Sequence, residues 1–209
     1  MYVLTADQKS SRTTADAVPS LLTALTGPSY TAGLLLPFER TAGDEVQALF
    51  EDATTVVNVA IQLLRAGTWW IGVGVGTVEQ PLPATARAGR GPAYVAARAA
   101  VEGAKGVPAG IGIGGSTGAD RAEAAAWLLA ALLSRRTPEG WEVVDLMAGS
   151  VKQVDVAAKL GISPQAVSRR LRVAGWAEER RGRELLAWLL EQADRRPRAG
   201  HQRTDKEPE

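Results

Sequence analysis

The stretch FERTAGDEVQALF, Phe38–Phe50, sets a Gly-Asp-Glu step between two apolar runs. To its left TAGLLLPF reads as a buried strand, and EVQALF reads as a second strand that leads towards a helix. ERTAGD between them is then the tight turn of a hairpin, with Gly43 supplying the backbone freedom. A hairpin tip gains little stability from two adjacent carboxylates, so Asp44 and Glu45 raise a question of purpose. The plain answer is a solvated turn aspartate.

The hairpin fixes what surrounds it. YVLTA (Tyr2–Ala6) is a short strand ending at Asp7, and SSRTTADAVPSLLTAL shifts to helical spacing with Val18, Leu21, Leu22 and Leu25 on one face. The hairpin strands span roughly Thr31–Phe38 and Glu45–Leu49. EDATTVVNVAIQLLRAG is a helix stopped by Gly67. TWWIGVGVGTV is a strand whose glycines predict close approach of another backbone or a ligand. GPAYVAARAAVEGAK is a helix opened by Pro92, and PAGIGIGG is a fifth strand. A hairpin split between helical crossovers predicts an α+β fold, a ferredoxin-like mixed sheet with its helices on one face. GIGIGG lacks the spacing and the acidic residue of a dinucleotide-binding turn and reads as a strand packed under a helix. Of Trp69 and Trp70, which alternate across a strand, at least one belongs to a core or a dimer interface.

Bulk properties narrow the classes. The 209 residues, 45% hydrophobic and 22% charged, suit one medium domain with a small appendage or two small domains. The absence of cysteine excludes disulfides and thiolate metal sites, and the lone His201 excludes multi-histidine sites. No run is long and apolar enough for a membrane span, and the N-terminus lacks a signal-peptide pattern, so a cytoplasmic location is expected. Residues 1–150 hold 11 Lys/Arg against 14 Asp/Glu, whereas 151–209 hold 13 against 9, which suggests different partners for the two parts. The polar stretch 194–209 reads as a disordered tail.

QVDVAAKLGISPQAVSRRLRVAGW (Gln153–Trp176) carries the most specific pattern, that of a helix-turn-helix. Ala157 lets two helices touch, Gly161 takes the positive φ of the turn, Ser163 caps the second helix and Pro164 opens it. Val156, Leu160, Ile162, Val167 and Leu171 supply a small core, and in the preceding capped helix TPEGWEVVDLMAG Trp141, Val144 and Leu146 read as core. Ser163, Gln165, Ser168, Arg169 and Arg172 remain outward, the side-chain types that hold phosphates and read base edges. GISPQAVSRRL resembles the DNA-reading helix of many bacterial repressors, which implies Gln165 and Arg169 as base contacts. The alternative is a helix pair used for protein contacts. The apolar face of the last helix, Leu185, Leu186, Trp188 and Leu189, would dock on the small domain or on a second subunit, and a homodimer suits a two-fold operator.

Asp7 at the end of the first strand would lie beside the hairpin tip. Asp7 and Asp44 then converge as a hard oxygen site for Mg²⁺, beside Lys9, Ser10, Ser11 and Arg12 at a helix start suited to polyphosphate. The order of strand-Asp, hairpin Gly-Asp, GVGVGTV and GPAYVAAR resembles the palm of class III nucleotidyl cyclases, and AGDE resembles part of the GGDEF signature of diguanylate cyclases. ADQKSSR, AGDEVQALF and GRGPAYVAARAAVEGA resemble blocks of the SatD-like family, a cyclase-like palm followed by a helix-turn-helix, as far as about Gln192. The resemblance implies Asp7 and Asp44 as metal ligands and Arg98 as a phosphate contact. It implies Tyr94 where cyclases hold ribose with asparagine, Arg40 and Arg87 at the purine-selecting positions, and Gly43 for close approach.

The expectation is a nucleotidyl-cyclase-type palm at 1–118, a connecting helix at 119–136 and a helix-turn-helix domain at 137–193. Function follows as DNA-binding transcription regulation by a homodimer that senses ATP or GTP with Mg²⁺, a cyclic dinucleotide remaining possible. Tyr94 and the missing purine-reading pairs argue against catalysis. The rivals are an active nucleotidyl cyclase and a constitutive DNA-binding dimer whose palm is a vestigial scaffold.

Overall fold

The computed structural model describes residues 1–149 and 152–195, so the tail expected at 194–209, with His201, lies from residue 196 onward outside the described residues. Five strands form one mixed sheet, and nine helices accompany it among the described residues. Strand β1 (Tyr2–Gln8) is followed by two short helices, α1 (Val18–Ala24) and α2 (Pro28–Thr31), and by the hairpin β2 (Leu34–Arg40) and β3 (Glu45–Phe50). Helix α3 (Ala53–Ala66), strand β4 (Trp69–Val75), helix α4 (Pro92–Ala104) and strand β5 (Ile111–Gly115) complete the β-α-β-β-α-β-α-β order. Helix α5 (Ala119–Leu133) leads to α6 (Pro138–Ala148), α7 (Gln153–Leu160), α8 (Pro164–Val173) and the long α9 (Trp176–Asp194). No helix among the described residues is long and apolar enough to cross a membrane.

Local signals account for most of these limits. Asp52 caps α3 by accepting from the Thr55 amide at 2.6 Å and its hydroxyl at 2.7 Å, and Gly67 ends that helix at φ 72°. The helix after β1 is shorter than its apolar spacing predicts. The Ser10 carbonyl accepts from the amides of Thr13 and Thr14, which folds residues 9–14 into a turn, and α1 begins only after Asp16 accepts from the Val18 amide.

The sheet order is β2-β3-β1-β4-β5, with β1 antiparallel to both neighbours and β5 parallel to β4. One face carries Leu4 and Ala6 of β1, Val46, Ala48 and Phe50 of β3, Ile71 and Val73 of β4, and Ile111 and Ile113 of β5. Helices α1, α3, α5 and α9 pack there, α9 through Leu186, Leu190 and Ala193. At the solvent side of α9, Leu185 and Trp188 stay about half exposed.

The opposite face belongs to α4, so the expectation of helices on one face is corrected. Crossovers β3-α3-β4 and β4-α4-β5 each join parallel strands and step the same way across the sheet. Lying on opposite faces, they have opposite hands, although right-handed crossovers strongly predominate. The glycines of β4 and β5 allow the approach of α4. A Cβ at Gly72 would stand 2.4 Å from the Ala97 carbonyl oxygen, one at Gly74 1.9 Å from that of Ala93, and one at Gly112 2.4 Å from that of Ala100. The close approach predicted for this strand is thus filled by helix backbone. A second apolar cluster, with Val3, Leu49, Ala86, Ala93, Tyr94 and Ala97, completes this face.

Helices α6, α7 and α8 enclose a third cluster of Val143, Val144, Val156, Ala157, Val167, Leu171 and Ala174. Trp141 turns away from it and packs against the main core. The chain reaches α6 from α5 and returns through α9, and α5 and α9 pack on each other. Arg136, on the way out, donates from Nε to the Ala174 carbonyl on the way back at 2.9 Å.

Candidate functional site

Along the α4 face the central strands grow polar towards one end. In register, Val3 faces Leu49, Thr5 faces Gln47, and Asp7 faces Glu45. Gln47 donates from Nε2 to the Thr5 hydroxyl at 2.9 Å, so this buried polar pair is satisfied. Like charges on directly opposed positions repel, and α4 supplies the compensation. Lys105, at its C-terminus, places Nζ 2.6 Å from Asp7 Oδ2, and Arg98, two turns earlier, places Nη1 3.2 Å from Glu45 Oε2. The Asp7 carboxylate holds the Lys105 ammonium above its ordinary pKa. Thr41 donates from its hydroxyl to Glu45 Oε1 at 2.5 Å. Two carboxylates and two cations thus meet at the end of β1.

Asp44 stands apart from this group. Its carbonyl accepts from the Gln8 amide at 3.4 Å, and it lines a separate shallow cavity of about 360 Å³ with Gly43, Arg40, Asp16, Arg12 and Ser11. Arg40 is fixed there, Nη2 lying 2.5 Å from Asp16 Oδ2 and Nη1 donating to the Gly43 carbonyl at 2.5 Å. The Arg40 hydrogen bond holds the Asp16 carboxyl below its usual range. The partner that the register brings to Asp7 is therefore Glu45.

Other predicted residues scatter. Ser10 (φ 56°), Ser11 and Arg12 lie in the exposed turn after β1, which replaces the helix start expected of them. Lys9 turns over the Trp70 ring, Nζ 4.3 Å from its centroid, and lines a different cavity. Arg87 places Nε 3.4 Å from Glu39 Oε1. Tyr94 is buried in the second cluster beneath Gly89, its hydroxyl unpartnered among the described residues, and burial raises its pKa.

Two carboxylates are a donor set that suits Mg²⁺, a hard cation that commonly takes one or two carboxylates and completes its shell with phosphate and water. Asp7 and Glu45 are of that type, and each is ion-paired in this structure, to Lys105 and Arg98 respectively. Among the described residues no group of three or more His, Cys, Asp or Glu stands together.

The second candidate surface is on α8. Gly161 at φ 62° ends α7, the Ser163 hydroxyl accepts from the Ala166 amide at 3.2 Å, and Pro164 opens α8. Val167 and Leu171 point inward, leaving Ser163, Gln165, Arg169 and Arg172 exposed and Ser168 half-buried. Arg170 is drawn off to Glu142 at 3.4 Å, whereas Arg169 and Arg172 have no carboxylate partner among the described residues.

Glu45 and Lys105 are the members of the site that sequence reasoning missed. The signal for Glu45 was the strand register, which places it and Asp7 on one face, and the signal for Lys105 was its spacing of seven from Arg98. Set against models of known protein families, curated proteins and solved structures, the chain matches none.

Proposed function

We propose that this chain is a DNA-binding transcription regulator whose sheet domain senses a purine nucleotide, ATP or GTP, held with Mg²⁺. The observation that carries the DNA side is α8. Its capped N-terminus, two inward apolar residues and outward Gln165, Arg169 and Arg172 suit a recognition helix in a major groove, α6 and α7 supporting it. The sheet order, with β1 between the hairpin β2-β3 and β4, would suit a cyclase-like palm, and this is what the sheet offers in support of that reading.

On the nucleotide side, Asp7 and Glu45 would hold the cation, and Arg98 and Lys105 would turn from them to the phosphates. Asp44, Arg12 and Arg40 border the same strand end. Mg²⁺, when bound, supplies neutralisation of the phosphate charge. Tyr94, buried among apolar side chains, is poorly suited to hold ribose for cyclisation, which favours sensing over turnover. A homodimer would present two α8 helices to half-sites about one DNA turn apart.

The test is calorimetric titration with ATP, GTP and cyclic di-GMP, with and without Mg²⁺, assaying the recovered nucleotide. Saturable Mg²⁺-dependent binding of intact nucleotide, weakened tenfold or more in Asp7→Asn and Glu45→Gln, is expected. Conversion to a cyclic product would make the chain an enzyme, and absence of binding would refute the sensor. A second reading has its own observation, the Lys105–Asp7 ion pair at 2.6 Å, which already neutralises the first carboxylate. It makes the sheet domain a vestigial scaffold for a constitutive DNA-binding dimer, the reading that absence of binding would favour.

A further inference from the structure

A cavity of about 680 Å³ opens where α3, the loop between α4 and β5, and α5 meet the segment leading to α6. Its volume falls in the range of small-molecule sites, roughly 300–1,000 Å³. Trp69, Trp127 and Trp141 contribute to its wall, with Ala131 on the α5 side. Trp127 is 40% exposed, yet its Nε1 donates to the Ile111 carbonyl at 2.8 Å, which fixes the indole before anything binds. A wall fixed in advance spares a ligand the entropy of ordering it.

The charged side chains at this cavity are all cationic, and Ser134 is a neutral polar one. Arg65 and Arg136 are spoken for, Arg65 Nη1 lying 2.6 Å from Asp145 Oδ1 and Arg136 Nη2 2.6 Å from Glu179 Oε2. Lys9 has no carboxylate partner among the described residues and stands against the Trp70 ring, its Nζ 4.3 Å from the ring centroid. Planar apolar walls with one uncompensated cation define a ligand by shape and by sign.

We infer that this cavity binds a planar aromatic anion, its rings against the exposed Trp127 indole and its charged group at Lys9, since Trp69 is buried and Trp141 is already stacked by Arg65 and Arg136. The site is distinct from the Asp7–Glu45 group, on which it does not depend.

Anilinonaphthalene sulfonate is an aromatic anion of suitable size, and N-phenylnaphthylamine is its analogue without the sulfonate. Fluorescence titration of the full chain, excited through tryptophan, should show one saturable site at least tenfold tighter for the sulfonate. Ala131→Phe, at an exposed α5 position that narrows the cavity, should weaken both probes tenfold or more. Lys9→Ala should abolish the preference for the sulfonate, and Arg98→Ala should leave it intact. Absence of saturable binding, or unchanged binding in Ala131→Phe, overturns the site. Equal affinity for the two probes, or a preference that survives in Lys9→Ala, overturns the anionic class. Thermal midpoints of each variant, compared with the parent, verify that the fold is retained.

Discussion

Replacing Gly74 by alanine tests the close packing of α4 on the sheet. The added Cβ would stand 1.9 Å from the Ala93 carbonyl oxygen and 2.4 Å from the Ala97 amide nitrogen, whereas ordinary contact begins near 3.4 Å. Relief requires α4 to retreat by the difference between 3.4 and 1.9 Å, because helix backbone cannot rotate aside as a side chain can. Overpacking a core costs about 1–3 kcal/mol, and a backbone neighbour puts this case at about 3. At about 2–4 °C per kcal/mol for a chain of this size, the unfolding midpoint should fall by about 6–12 °C. Gly114→Ala is the matched control, since its nearest atom is the Ala96 carbonyl oxygen at 3.8 Å, and its midpoint should move by less than about 2 °C. Circular dichroism during heating reads both. A Gly74→Ala midpoint within about 2 °C of the parent, or an equal fall in Gly114→Ala, would refute the account. Retreat of α4 would also draw Arg98 and Lys105 from Glu45 and Asp7, so in the proposed nucleotide reading affinity should fall with stability.

Other outcomes follow from single contacts. Arg136 and Glu179 form a fully buried ion pair at 2.6 Å, with Arg183 also on Glu179, so Glu179→Gln should cost about 3 kcal/mol in urea unfolding. The double change Arg136→Met with Glu179→Leu should recover most of that, and a single-change cost below about 1 kcal/mol would contradict the burial argument. Lys9 titrates below and Lys105 above the ordinary lysine pKa, so at mildly alkaline pH Lys9 has the larger free-amine fraction; acetylation followed by peptide mass mapping should label Lys9 first. Since the Lys105 pKa is raised on folding, its contribution to stability is complete below the unfolded pKa of about 10.5 and is lost only as pH rises through the higher folded value; a pH series of unfolding midpoints in Lys105→Gln and parent reads the difference. In the DNA reading, Arg169→Ala should weaken specific binding by about 1–3 kcal/mol, and Arg172→Ala should lower the salt dependence with little change in sequence preference; unchanged operator affinity in Arg169→Ala would sink the recognition-helix assignment.

Elements governed by local chemistry were legible in the sequence. Ser163, Thr137 and Gly161 act through neighbours within a few residues, and each stands at the helix end its type predicts. The hairpin and the succession of strands and helices through β5 followed from apolar runs and one turn. The face taken by α4 did not, because glycines at Gly72, Gly74 and Gly112 report that something comes close without naming it. One of the two crossovers must run against the general preference for the right hand, so the usual rule misdirects. The site was half legible for a related reason. Asp44 and Glu45 are neighbours in sequence, but Asp44 lies in the turn before β3, and only the register of β3 with β1 brings Glu45 opposite Asp7.

The segment from Thr137 to Gly175 leaves the chain between α5 and α9 and returns beside its point of exit, where Arg136 reaches the Ala174 carbonyl at 2.9 Å. A third connection lies away from these two, where Arg65 of α3 reaches Asp145 of α6 at 2.6 Å and Trp141 packs on the main core. In the proposed DNA reading, three points of attachment would fix the orientation of α8 to the sheet, so a signal at the sheet would reach α8 as a change of angle and not as its release.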